Sequence, residues 1–263
     1  MEQVLSRKQK FETRVHELDF IRGVLIILVL IDHLLNNIAS ASYMGFMYNA
    51  ASWYWNNPAR WFVQDFVALP LFVFLSGISC MFSKNNWQRA GKMIIFWGIL
   101  ALGSNVLYAI GLNDIIGINL RVDFNIIGVI AWSNLIYCLF EKRTWKILAT
   151  MCIVFFLFGS IVLPQIEKAS IAAGHYDSAY VPALWYYNGG ADQADRMTIY
   201  PYIIYFFLGA IFGRFYYSKQ ESLLPRKDWE RPICFIGRHS LLFYIGHQIV
   251  YIPIFYVLRL IFG

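Results

Sequence analysis

Apolar segments long enough to cross a bilayer recur from one end of this chain to the other, at roughly 20–40, 62–82, 92–112, 124–140, 144–164, 198–217 and 240–262. No other feature limits the fold as much. Hydrocarbon offers no partner for a backbone N–H or C=O, so repeated crossings must be helices or a closed barrel, and apolar runs of about 20 residues suit helices. The expected fold is an all-α polytopic membrane bundle of about seven transmembrane helices. It forms a single domain over residues 1–263, because no Pro/Gly/Ser linker or low-complexity stretch divides the segments. Composition agrees: 59% of residues are hydrophobic and only 14% charged, where a soluble domain is about a quarter charged. Residues 1–17 are polar and basic, and no small-residue cleavage site follows a short apolar core, so the first segment is expected to stay in place as a span.

The connections alternate in charge. Arg7, Lys8, Lys10 and Arg14 precede the first segment; Lys84, Arg89 and Lys92 follow the second; Lys142, Arg143 and Lys146 follow the fourth. The connection before the last segment holds Arg214, Lys219, Arg226, Lys227, Arg231 and Arg238. The opposite connections hold few cations, chiefly Arg60, Arg121, Lys168 and Arg196. The positive-inside rule then expects the N-terminus in the cytoplasm and the C-terminus outside, as an odd number of spans requires. Cys80, Cys138, Cys152 and Cys234 all avoid the outer connections, so no extracellular disulfide framework is expected, and they read as small buried apolar residues.

Within this apolar frame the first segment, LDFIRGVLIILVLIDH (18–33), carries four ionisable residues. Arg22 and His33 are eleven residues apart, almost three helical turns, which sets them on one face about 16 Å apart. Asp19 lies a turn before Arg22 and Asn36 a turn after His33, with Asp32 and Asn37 at the margins of the same face. Asp19 and Arg22 suit a boundary pair that snorkels. Asp32 and His33 lie at depth, where ionisable groups are rare, face a bundle interior or wet cavity, and mark pathways or sites. An imidazole exchanges protons near neutral pH, so His33 is the candidate general base; Asp32 either orients it or pairs with another helix. The last segment repeats the pattern, with Ser240, Tyr244, His247 and Tyr251 at helical spacing and Gln248 beside them. Two segments that each turn a histidine inward imply a shared cavity.

Two further polar groups lie toward the outside. Arg121, Asp123 and Asn125 open the fourth segment and either cap that helix or line an outer mouth. The long connection at roughly 165–197 is rich in aromatic residues, Asp, Asn and Gly, and connections of that length are usually functional. Its Trp185, Tyr186, Tyr187 and Asn188 suit a carbohydrate-facing surface, because flat rings stack on sugar faces and amides bond hydroxyls. Trp53, Tyr54 and Trp55 serve equally as sugar contacts or interfacial anchors. A mid-span lysine for a retinal Schiff base, a GxxxxGK[ST] phosphate loop and an HExxH zinc motif are all absent, and nothing points to a metal or to nucleic acid. The residues alone leave three readings open: an enzyme, a small proton-coupled transporter or lipid or glycan flippase, and a scaffold held by polar contacts.

Five motifs in order carry a resemblance that extends from about residue 14 to the end. LDFIRGVLIILVLIDH and LPLFVFLSGIS (69–79) resemble the first two spans of the transmembrane acyltransferase superfamily, to which the acyltransferase-3 family is related. DFNIIGVIAWSNLI (123–136), ADRMTIYPYIIYFFLGAIFGRFYY (194–217) and IGRHSLLFYIGHQ (236–248) resemble bacterial members of the heparan-α-glucosaminide N-acetyltransferase catalytic-domain family. The resemblance implies a transferase that moves acetyl from cytosolic acetyl-CoA to a hydroxyl or amine of an extracytoplasmic sugar or glycan. It implies residence in a bacterial plasma membrane among membrane lipids, with a homo-oligomer allowed. His33 matches the catalytic histidine of the family's arginine–histidine motif. Asp32 and His247 are expected beside it, and Arg22, Arg238, Ser240, Asp19 and Tyr244 are expected at the acetyl-CoA. Asn36, Arg121, Asp123, Asn125, Gln248, Trp185 and Asn188 are expected to meet the acceptor. Residues 41–60 hold no histidine, where the mammalian branch has its proposed acetyl-accepting one.

Overall fold

The computed structural model describes residues 15–172, 195–225 and 227–262, and every regular element among them is helical. In chain order these are α1 (His16–Ser40), α2 (Phe46–Trp55), α3 (Pro58–Phe82), α4 (Asn86–Ala109), the short α5 (Leu112–Ile116) and α6 (Ile126–Cys138). Then come α7 (Trp145–Leu157, continued through Phe158–Val162 to Leu163–Ala172), α8 (Tyr202–Tyr216), α9 (Arg231–Arg238) and α10 (Ser240–Phe262). Each of the seven apolar segments read from the sequence coincides with a helix. Among the described residues, α3, α4, α10 and the Trp145–Ile166 part of α7 are long and apolar enough to cross a membrane. Helices α6 and α8 are apolar but shorter. Helix α1 has 25 residues, about 38 Å at 1.5 Å per residue, and its apolar run is broken by the polar stripe.

The helices approach most closely where glycine removes a side chain. Gly77 of α3 lies against the Phe206 carbonyl of α8, and Gly209 of α8 lies against the Phe74 carbonyl of α3, so the two helices meet backbone to backbone. Gly23 of α1 abuts Ile233 of α9 and Gly237 of α9 abuts the Asp19 carbonyl, which fixes the α9–α10 corner against the start of α1. Such small-residue seams are how helices associate in lipid, where no hydrophobic gain accompanies their contact. Helix α6 runs through the middle: Ile126 to Ala131 are all buried, as are Ser133, Asn134, Tyr137 and Cys138. By contrast only Ala90 of α4 is buried, and α4 presents Ile95, Ile99 and Leu102 outward.

Helices α3 and α7 share one irregularity. Each contains a π-wound stretch, Phe62–Ala68 and Phe158–Val162, followed within two residues by a proline, Pro70 and Pro164. A proline ring displaces the carbonyl one turn earlier and donates no hydrogen bond to it, and a widened turn accommodates both defects. In α3 the widened turn brings Gln64 and Asp65 to an interior cavity.

Candidate active site

Two cavities lie end to end along α1. The first, about 580 Å³, sits at the end of the bundle rich in basic residues. Five cations line it: Arg22 from α1, Lys84 from the α3–α4 turn, Arg89 and Lys92 from α4, and Arg238 from the end of α9. Arg22 donates to Asp19 Oδ1 at 3.1 Å and to Ser79 Oγ at 2.6 Å, which holds it rigidly across the α1–α3 gap. The other Asp19 oxygen is 3.5 Å from Arg238 Nε, so one carboxylate spaces two guanidiniums at the rim. Arg89 donates to the Ser76 carbonyl at 3.0 Å. Hydroxyl and amide groups of Ser79, Ser83, Asn85, Gln88 and Ser240 complete the polar lining, while Phe72, Ile126, Ile127 and Ile130 line the deeper part.

The second cavity, about 340 Å³, lies beyond the first toward the other end of α1. Phe72, Ile126 and Tyr244 line both cavities and so form the partition between them. Here the charges are mixed. Asp32 takes two bonds from Arg60, Nε to Oδ1 at 2.7 Å and Nη2 to Oδ2 at 2.6 Å, and a third from the Tyr54 hydroxyl at 3.2 Å. The Arg60 guanidinium lies 3.8 Å over the Trp55 ring. Burial and the neighbouring Asp32 carboxylate push the Tyr54 phenol up, so it stays a neutral donor. Asp65, Asp195 and Arg196 add three further charges, with Asn36 and Gln64 between them.

His33 faces this cavity with its ring centroid 5.0 Å from His247 and 6.2 Å from Tyr244. His247 bonds through Nδ1 to the Tyr244 carbonyl, which only accepts, so in the neutral ring the proton sits on Nδ1. Its Nε2 is buried, lacks a hydrogen-bond partner among the described residues and is left as an acceptor beside His33. Tyr244 is held from both sides: its hydroxyl donates to Asp195 and accepts from Asn125 Nδ2 at 3.1 Å. Asn125 is fully buried and its side-chain oxygen caps α6 by accepting from Gly128 N. The backbone N–H of Met197 donates to the Phe124 carbonyl at 2.9 Å, which anchors Asp195 and Arg196 beside that cap.

The model of the family described as heparan-alpha-glucosaminide N-acetyltransferase, catalytic, matches residues 14–249, nearly the whole chain and all of this site. The chain belongs to that family. It is accordingly a membrane acetyltransferase, an integral membrane protein built of helices, and the transporter reading is not favoured. No curated protein and no solved structure matches it.

The structure sorts the residues singled out in the sequence. Arg22, Arg238, Ser240 and Tyr244 line the first cavity, with Asp19 bracing the two arginines. Asp32, His33, Asn36 and Tyr244 line the second, and His247 packs against His33. Asp32 is committed to Arg60 and Tyr54, with no hydrogen bond to His33. Arg121 and Asp123 pair with each other at 3.0 Å and tie the chain to α4, where Asn105 donates to Asp123 at 2.8 Å; neither lines either cavity. Asn125 bonds to Tyr244 without lining either cavity, and Gln248 is outside both linings. Trp185 and Asn188 lie outside the described residues, as do Tyr186 and Tyr187.

Sequence reading missed Gln64, Asp65 and Asp195, and counted Arg60 and Arg196 only as stray outer cations. One signal was available for Arg60 and Asp65: the first precedes and the second interrupts the apolar run at 62–82, and ionisable groups in such a run face inward.

Proposed function

We propose that the protein moves acetyl from acetyl-CoA in the cytosol to a hydroxyl or amine of a sugar on the other side of the membrane, at His33. The observation that carries this reading is the linear arrangement: a cavity lined by five cations, a thin partition at Tyr244, and a polar cavity holding His33. The excess of lysine and arginine at its end of the bundle supports a cytoplasmic first cavity, with the N-terminus inside and about seven spans. Its cations suit the phosphates of coenzyme A, Arg22 and Arg238 as planar forks and Lys84 and Lys92 as point charges. Its apolar depth suits the pantetheine arm, which brings the thioester to the partition.

In the transfer step His33 takes the proton from the acceptor O–H or N–H while the acceptor atom attacks the thioester carbonyl. The tetrahedral intermediate collapses with cleavage of the C–S bond, and the imidazolium returns the proton to the departing thiolate. His247, whose Nε2 accepts, stabilises the protonated form of its neighbour. The Asp32–Arg60 pair closes the wall behind His33 and leaves the imidazole free to exchange its proton. Tyr244 must leave Asp195 for donor and acceptor to meet. Transfer through an acetyl-imidazole on His33 uses the same geometry in two steps.

The test is the melting temperature of the purified protein against acetyl-CoA, with acetate and ATP as controls. A ligand of the folded state at a hundredfold over its Kd adds about 2.7 kcal/mol. A saturable rise specific to acetyl-CoA, shifted to higher concentration in Arg238→Ala, supports the reading; a folded protein that ignores acetyl-CoA refutes it.

A further inference from the structure

The second cavity has a side arm. A further cavity of about 540 Å³ lies between the first turns of α3 and the chain leading into α8, walled by Trp61, Phe66, Pro70, Tyr202 and Tyr205. It shares Asp65, Leu69, Arg196 and Met197 with the cavity that holds His33, so the two adjoin across those residues. Its rim is exposed: Trp61 by 53%, Phe66 by 58% and Tyr205 by 37%. Trp61 and Phe66 lie in the first turns of α3, one of the helices long and apolar enough to cross a membrane, so this rim is on the outer surface of that helix.

The widened turn of α3 produces the arrangement. It directs Asp65 to the junction of the two cavities while Phe66 stays on the outer surface, stacked on Phe62 at 5.8 Å and met edge-on by Trp61 at 5.1 Å. Charged groups, Asp65 and Arg196, therefore stand at the inner end of the side arm and aromatic rings at its outer end. A water-soluble sugar reaching His33 from outside has no use for an opening toward lipid. A molecule with a polar head and a hydrocarbon chain uses both ends at once.

We propose that the acceptor is a glycolipid, with its sugar in the cavity beside His33 and its hydrocarbon chain leaving through the side arm into the bilayer. The transfer itself rests on the acetyltransferase reading above; the binding does not. The product is the same lipid with an acetyl ester or amide on its sugar, released with free coenzyme A.

The first experiment reads binding without turnover. The protein in lipid nanodiscs is irradiated with octyl glucoside carrying a diazirine on its terminal carbon, and the labelled peptides are mapped. Label on 61–70 and 198–205, competed by plain octyl glucoside and not by equimolar glucose, is the expected result. Label scattered over the lipid-facing helices, or indifferent to octyl glucoside, overturns the proposal.

The second experiment compares acetyl transfer to methyl, butyl and octyl glucosides and glucosaminides. The octyl compounds should have kcat/KM at least about tenfold above the methyl ones, the effect of a few buried methylenes. Trp61→Ala and Tyr205→Ala should lower the octyl value several-fold more than the methyl value; equal losses count against the side arm. Equal rates for methyl and octyl acceptors sink the glycolipid and leave the acetyltransferase standing. The expected labelling in a protein whose melting temperature ignores acetyl-CoA does the reverse.

Discussion

The two axial cavities are built from the same helix yet handle charge in opposite ways. At the basic end Arg22, Lys84, Arg89, Lys92 and Arg238 converge with no carboxylate in the lining among the described residues, and Asp19 only spaces two of them. Around His33 the charges are mixed: Asp32 is locked to Arg60, and Asp65, Asp195 and Arg196 stand close by. An excess of one sign suits recognition of a polyanion, because the ligand supplies the missing charge. Compensated charge keeps a depth of the membrane polar and ordered with little net charge. The Tyr244 partition allows both environments to exist a few ångströms apart.

Variants that act on one cavity alone break or sharpen this contrast. The largest effect is expected from His33→Ala, which should lower acetyl transfer by about 10²–10⁴-fold while leaving the thermal response to acetyl-CoA intact. Loss of that response would place His33 at the donor and erase the distinction between the cavities. Next is Arg60→Ala, which strands the Asp32 carboxylate in a site where the two side chains are 11% and 8% exposed. Its expected cost is about 3–5 kcal/mol of stability, read by thermal unfolding, with most of it recovered in the double variant Arg60→Met/Asp32→Leu. A single variant as stable as the parent would mean that the pair is solvated in the membrane.

Arg238→Ala should weaken acetyl-CoA about tenfold to a hundredfold, the range for a hydrogen bond to a charged group, with kcat at saturating donor little changed. A fall in kcat without a rise in KM would move Arg238 into the chemistry. The smallest effect is expected from Tyr244→Phe, which keeps the ring in the partition but leaves Asp195 and Asn125 without their hydroxyl partner, at a cost of about 1–3 kcal/mol. Acetyl transfer should stay within about tenfold of the parent. A greater loss would give the hydroxyl a part in stabilising the oxyanion.

Much of this plan was legible before the structure. The Arg22–His33 spacing on one helical face put one end of the stripe in each cavity, because eleven residues is a near-integral number of turns. The Tyr244–His247 spacing likewise turned both rings of α10 toward α1. Arg121 and Asp123 were harder to place. A charged pair at the start of a helix reads alike whether it lines a mouth or ties a loop, and only the position of Asn105 on α4 decides for the tie. Asp32 was ambiguous for the same reason: adjacent residues project about 100° apart, and its partner lies on another helix.

What the sequence determined by itself is the material of the bundle: helices forced by the absence of backbone partners in hydrocarbon, a basic end set by the connections, and two polar stripes set by helical period. What only the tertiary structure decided is which charges answer one another. Arg60 meets Asp32 from 28 residues away, and Asp195 meets Tyr244 across 49. Glycine seams at Gly23, Gly77, Gly209 and Gly237 set how closely the helices stand. Local period fixes the direction of a side chain on its own helix; its partner depends on packing between helices, and no local pattern encodes that.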